Sequence, residues 1–152
     1  MSADGLDEAA IRLILARTKR IALVGASANP ARPSNEVMAF LLAHGFDVTP
    51  VNPGLAGQSL HGRLVVARLD EAGPLDMVDL FRAPDLVMDP VEQAISLGAR
   101  TIWMQLGVIN EAAAARARAA GLAVVMDRCP AIEIPRLRLF TSPPSSVENQ
   151  QR

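Results

Sequence analysis

The sequence predicts a doubly wound α/β domain of Rossmann type, a parallel sheet of about five to six strands in a single domain. Three observations lead there. Short apolar runs alternate with helical segments along most of the chain. The runs IALV and LAVVM are apolar throughout, as strands covered on both faces are. The 152 residues, 50% hydrophobic and 20% charged, suffice for one large core and no more.

The elements follow in order. Asp7 to Arg17 (DEAAIRLILAR) reads as an amphipathic helix, with Ile11, Ile14 and Leu15 on one face and acids in the first turn. IALV is a buried strand stopped by Gly25. ASANPARPS is a loop, after which Ser34 or Asn35 caps the helix NEVMAFLLAH, ended by Gly45. FDVTPVN is the second strand, closed by Asn52-Pro53-Gly54. The stretch to Gly73 is irregular, and RLVVARL within it suits an edge strand. Asp76 to Phe81 (DMVDLF) is the next strand. Pro84 and Asp85 open a helical stretch that runs to Gly98, with a break and a fresh cap expected at Asp89-Pro90. TIWMQ is a strand, with Trp103 packed beneath a helix. Asn110 caps the Ala-rich helix NEAAAARARAA, which Gly121 ends. LAVVM is the last strand, followed by DRCP. The domain is expected over residues 1–140, and the Pro/Ser-rich segment 141–152 reads as a disordered tail.

Composition limits the function. A net charge of −1 argues against nucleic acid or membrane surfaces as partners held by bulk charge. A small-molecule ligand, with or without homo-oligomer formation, fits better. One cysteine excludes an intramolecular disulfide and suits a cytoplasmic protein. The acidic N-terminus is wrong for a signal peptide, and no apolar run approaches the roughly 20 residues that span a bilayer.

In a doubly wound sheet, ligands bind beyond the carboxyl ends of the strands. The first strand leads into Gly25-Ala26-Ser27, then Asn29, Arg32 and Ser34 at a helix start. The second leads into Asn52-Pro53, the third into Phe81-Arg82, the fourth into Gln105 and Gly107, and the last into Asp127-Arg128-Cys129. Three of these ends reach an arginine, so an anion site is expected there, and a helix N-terminus beside it suits a phosphate. GASANPARPSN has one glycine where a dinucleotide loop needs three. Asn52 stands where an NAD site wants an acid, and there is no Walker lysine.

Taken in order, GAS, RPSNE, VTPVNP, DLFR, WMQLGVINEAA and VVMDRC resemble the small stand-alone CoA-binding proteins. Those share their fold with the N-terminal CoA-binding domain of the succinyl-CoA synthetase α subunit. The likeness spans Lys19 to Leu137. It implies a coenzyme A or acyl-CoA ligand. Gly25, Ser27 and the loop to Arg32 and Ser34 would hold the phosphates, and Asn52 and Pro53 would flank the nucleotide. Phe81 and Arg82 would line the crevice, with Gln105 and Gly107 near the pantetheine or the phosphates.

The synthetase's phosphohistidine does not carry over. His44 reads as a helix C-terminal partner and His61 as an exposed loop residue, and no Ser-His-Asp or Cys-His set is visible. Asp76 and Asp79 are not expected to hold a metal. Binding without catalysis is therefore the expectation. A nucleotide (NAD or FMN) module is one alternative. A redox or acyl-transfer enzyme is another, with Cys129, beside Arg128, as its candidate reactive thiol. Asp127 is read as orienting Arg128 or capping local N–H groups.

Overall fold

The computed structural model describes residues 2–140. The expected tail, 141–152, lies outside them. Helix α1 (Glu8–Ala16) opens the fold, with the Asp7 carboxylate accepting from the Ala10 N–H as its N-cap. Strand β1 (Arg20–Val24) is followed by α2 (Pro33–Ala43) and β2 (Asp47–Val51). A two-stranded hairpin, β3 (Ser59–Leu60) and β4 (Arg63–Leu64), occupies the irregular stretch. Strand β5 (Met77–Leu80), helix α3 (Met88–Ser96), strand β6 (Thr101–Met104), helix α4 (Glu111–Ala119), strand β7 (Ala123–Met126) and helix α5 (Pro130–Arg136) complete it.

The main sheet is five-stranded and parallel throughout, in the order β2-β1-β5-β6-β7. The edge-strand expectation for RLVVARL is met by one residue. Val66 makes a parallel bridge to Val51, its N–H donating to Pro50 O at 3.0 Å and its carbonyl accepting from the Asn52 N–H at 2.9 Å. Pro50 sits at this outer edge, so its missing N–H removes no rung shared with β1.

Residue parity along the strands builds two cores. Ile21, Leu23, Met77, Trp103 and Val125 face α1, α2 and α5. Ala22, Val24, Val78, Leu80, Ile102, Met104 and Val124 face α3 and α4. Trp103 is fully buried, as expected, and its indole N–H donates to Arg128 O at 2.8 Å. Asp79 shares the Trp103 face, flanked by Leu23 and Trp103 in the sheet. It is fully buried, neither carboxylate oxygen has a partner, and burial pushes its pKa well above the usual range.

Two expectations are corrected and one helix is added. Helix α2 starts one residue before Ser34, with Arg32 as N-cap and Pro33 in the first turn, because the ring's fixed φ suits that position. Helix α3 starts at Met88 after a separate 3₁₀ turn (Pro84–Leu86), so Asp89-Pro90 lie inside its first turn and break nothing. Helix α5 was not foreseen. Pro130 stands at its start and Pro135 inside it.

Candidate functional site

The chain reverses its winding between β1 and β5, the sheet's switch point, where a crevice opens beyond the strand ends. Its floor requires Gly25. This residue has φ +92°, and its N–H donates to Val51 O at 3.1 Å. A Cβ added there would stand 2.1 Å from the Phe81 carbonyl oxygen. Only a glycine lets the end of β1 pass that close to the end of β5.

Two cavities meet over this floor, sharing Gly25, Asn52, Gly54 and Arg82 as walls. The first, about 780 Å³, lies over the α2 side. Ala26, Ser27, Asn29, Arg32 and Ser34 line it from the first loop, and Phe81, Arg82 and Gln105 from the opposite strand ends. The second, about 890 Å³, lies toward α3 and includes Pro53. Both are within the usual size of small-molecule sites, roughly 300–1,000 Å³.

The first loop is held rigidly. Ser27 Oγ accepts from the Asn29 N–H, and Asn29 Oδ1 from the Ala31 N–H. Asn35 Nδ2 donates to Ser27 O at 2.8 Å, while its Oδ1 meets the Nε2 of the exposed His61 at 2.9 Å. Asn52 is held by the scaffold: Nδ2 donates to Ala26 O at 2.7 Å and Oδ1 accepts from the Gly54 N–H at 2.7 Å.

The electrostatics of the two cavities differ. Arg32 and Arg82 line the first cavity and have no ion-pair partner among the described residues. No acid lines that cavity. The second is walled by Asp70, Asp89 and Glu92 as well as Arg68 and the shared Arg82, around apolar Val51, Leu69, Pro90 and Leu97. A multiply charged anion is therefore favoured in the first cavity, where Coulomb attraction is uncompensated.

Two of the expected binding residues line neither cavity. Arg128 is turned inward. Its Nε and Nη2 donate to the Asp4 carboxylate at 2.8 and 3.1 Å, and its Nη1 reaches Glu133 at 3.4 Å. Burial alone would raise the Asp4 carboxyl. Hydrogen bonds from Arg128 and from the N–H groups of Met126 and Leu6 outweigh that and hold it down at about 2. Gly107 occupies a tight turn (φ +79°, Val108 N–H to Gln105 O at 2.8 Å), and its own N–H donates to Asp127 Oδ1 at 2.8 Å. Asp127 thus caps a neighbouring N–H, one of the two roles read for it.

Gln105 is 5% exposed, lines the first cavity, and leaves its Oε1 buried without a partner. Cys129, 8% exposed, lines the same cavity. Neither histidine does: His44 stacks on Phe40 at 4.0 Å and its Nδ1 meets Phe40 O at 2.8 Å. The described residues contain no cluster of potential metal ligands and no helix long and apolar enough to cross a membrane. Arg68, Gly54 and the α3 residues of the second cavity escaped sequence reasoning. Arg68 and the α3 residues do not directly follow a main-sheet strand, so the strand-end rule does not point to them, whereas Gly54, just beyond Asn52 and Pro53 at the end of β2, was within its reach.

Comparison with known proteins shows the family. The sequence pattern described as "CoA binding domain" matches residues 19–135. The uncharacterized protein YneT of Bacillus subtilis (strain 168) is 34% identical over 122 residues, covering 80% of this chain and 90% of that protein. A hypothetical protein from Pyrococcus horikoshii OT3 superimposes with a TM-score of 0.84 at 46% identity, covering 89% of this chain and 94% of the other. A Thermus thermophilus protein does so with a TM-score of 0.82 at 34% identity, covering 87% and 99%. Over more than three-quarters of its length, then, the chain belongs to the CoA-binding domain family.

Proposed function

We propose that this protein is a cytoplasmic binder of coenzyme A or an acyl-CoA, without catalysis of its own. The observation that carries the reading is the pair Arg32 and Arg82, unpaired and lining one acid-free cavity beside the start of α2. The Ser34 N–H there makes no hydrogen bond within the described residues, and Pro33 has none to offer. The phosphates bind at this loop and these arginines. The adenosine lies across Asn52 and Pro53 in the second cavity, whose apolar floor suits a base and whose acids disfavour phosphate. The pantetheine arm runs past Phe81 toward Gln105.

The engagement of Asn52 weighs against an NAD module. Its amide is held by Ala26 and Gly54 and carries no charge, so it is not the acid that an NAD site sets at the end of the second strand for the ribose hydroxyls. Family membership supports CoA as the ligand class.

Thermal unfolding with CoA, NAD, FMN and ATP in parallel tests the reading. A ligand at about 100 times its Kd stabilises by roughly 2.7 kcal/mol, or about 5–10 °C for a chain of this size. A rise with CoA alone is expected. A rise with NAD or FMN and none with CoA overturns it.

A further inference from the structure

Cys129 is the only thiol of the chain. It is mostly buried, yet it lines the first cavity together with Gln105, Phe81 and Ala26. Beside it an independent feature asks for a ligand. Gln105 is more than nine-tenths buried, and its Oε1 has no donor. A buried acceptor left in this state destabilises the fold. Turning of the Gln105 side chain, which lines the cavity, would bring this acceptor to an amide N–H entering there.

We infer that Cys129 is a thiol–disulfide exchange site for the disulfide of CoA, with Gln105 Oε1 accepting the terminal amide N–H of the pantetheine arm. The inference rests on the CoA reading and extends it. In CoA only two methylenes separate that amide nitrogen from the sulfur. An acceptor that fixes the amide therefore also fixes the sulfur nearby, and the thiol on this cavity's wall is Cys129.

The step balances without an outside oxidant. The Cys129 thiolate attacks one sulfur of CoA disulfide, and the old sulfur–sulfur bond breaks as the new one forms. One CoA leaves as thiolate and takes up the proton that Cys129 lost. The product is a Cys129–CoA mixed disulfide plus one free CoA thiol. A second free thiol reverses it. Gln105 acts here as a positioning residue.

The test is intact-mass spectrometry of the reduced full-length chain with CoA disulfide, and in parallel with oxidised glutathione. Calorimetry with desulfo-CoA, which lacks the reactive sulfur, reports occupancy separately. One adduct is expected, mapped to Cys129 and released by dithiothreitol. It should form about tenfold or more faster than with glutathione disulfide, because binding places the sulfurs together. Excess desulfo-CoA should slow it. Cys129→Ser should take no adduct, and Gln105→Leu should lose most of the rate advantage while remaining folded.

If desulfo-CoA binds but no adduct forms on Cys129, the exchange site is overturned and the CoA reading stands. Equal rates with the two disulfides, unaffected by desulfo-CoA, overturn it as well, because the thiol would then be merely accessible. If desulfo-CoA does not bind, both fall.

Discussion

Gly25 and Phe81 stand so close that the hydrogen on the Gly25 Cα takes the place where any Cβ would meet the Phe81 carbonyl oxygen, at 2.1 Å. The Phe81 N–H donates to Val24 O at 2.8 Å, so the two strand ends are already locked together. Gly25→Ala must part them and adopt φ +92°. The expected cost is at least about 2 kcal/mol, from strain and contact together. Urea denaturation checks it, and an unchanged midpoint would show that the strand ends yield easily.

Arg82 and Arg128 both follow strands, yet opposite outcomes are expected on truncation. Arg82 is exposed and unpaired, so Arg82→Ala should leave stability unchanged and weaken CoA binding about ten- to a hundredfold, the worth of one charge-assisted hydrogen bond. Arg128→Ala should lower stability by about 3 kcal/mol, because it leaves the Asp4 carboxylate buried without its partner. Calorimetric binding and denaturation of both variants separate the two roles. Equal affinity of Arg82→Ala and wild type would remove Arg82 from the site.

The strand ends were legible because fully buried parallel strands are apolar runs with abrupt polar stops. IALV before Gly25 and TIWM before Gln105 show this directly. The fate of Arg128 was not legible. Its partner Asp4 lies 124 residues away, in a segment whose local pattern says only that it is polar. Helix α5 was hidden by its prolines. Pro130 reads as a breaker but serves as a starter, and Pro135 is carried by the burial of Ile134 and Leu137. The deep cavity wall at Cys129 needed this same helix to be placed.

Asp4 makes acid stability predictable in sign. Its carboxyl is lowered from 3.8 to about 2 in the fold, so the stabilisation is present in full above 3.8. It is lost as pH falls through that range toward 2, by about 2 kcal/mol in total. Asp4→Asn should flatten this part of the stability curve. An unchanged slope in acid denaturation would contradict it.

Asp79 acts in the opposite direction. Its raised pKa means that stability is fullest below 3.8 and declines as pH rises from there toward the folded-state value. Asp79→Val, a β-branched side chain between Leu23 and Trp103, should raise stability at neutral pH and remove the decline. Denaturation midpoints of wild type and variant, compared in mildly acid and neutral buffer, decide it. A less stable variant at neutral pH would mean that the carboxyl has a partner after all.

The Asp4–Arg128 contact also has a consequence for how the chain is made. Asp4 leaves a ribosome 124 residues ahead of Arg128. Until then this carboxylate lacks its native partner. The nascent chain can assemble β1, β2 and β5 in turn, but Asp4 and Arg128 join only after β7 has been made. That closure adds a contact of high sequence separation, the kind that slows folding.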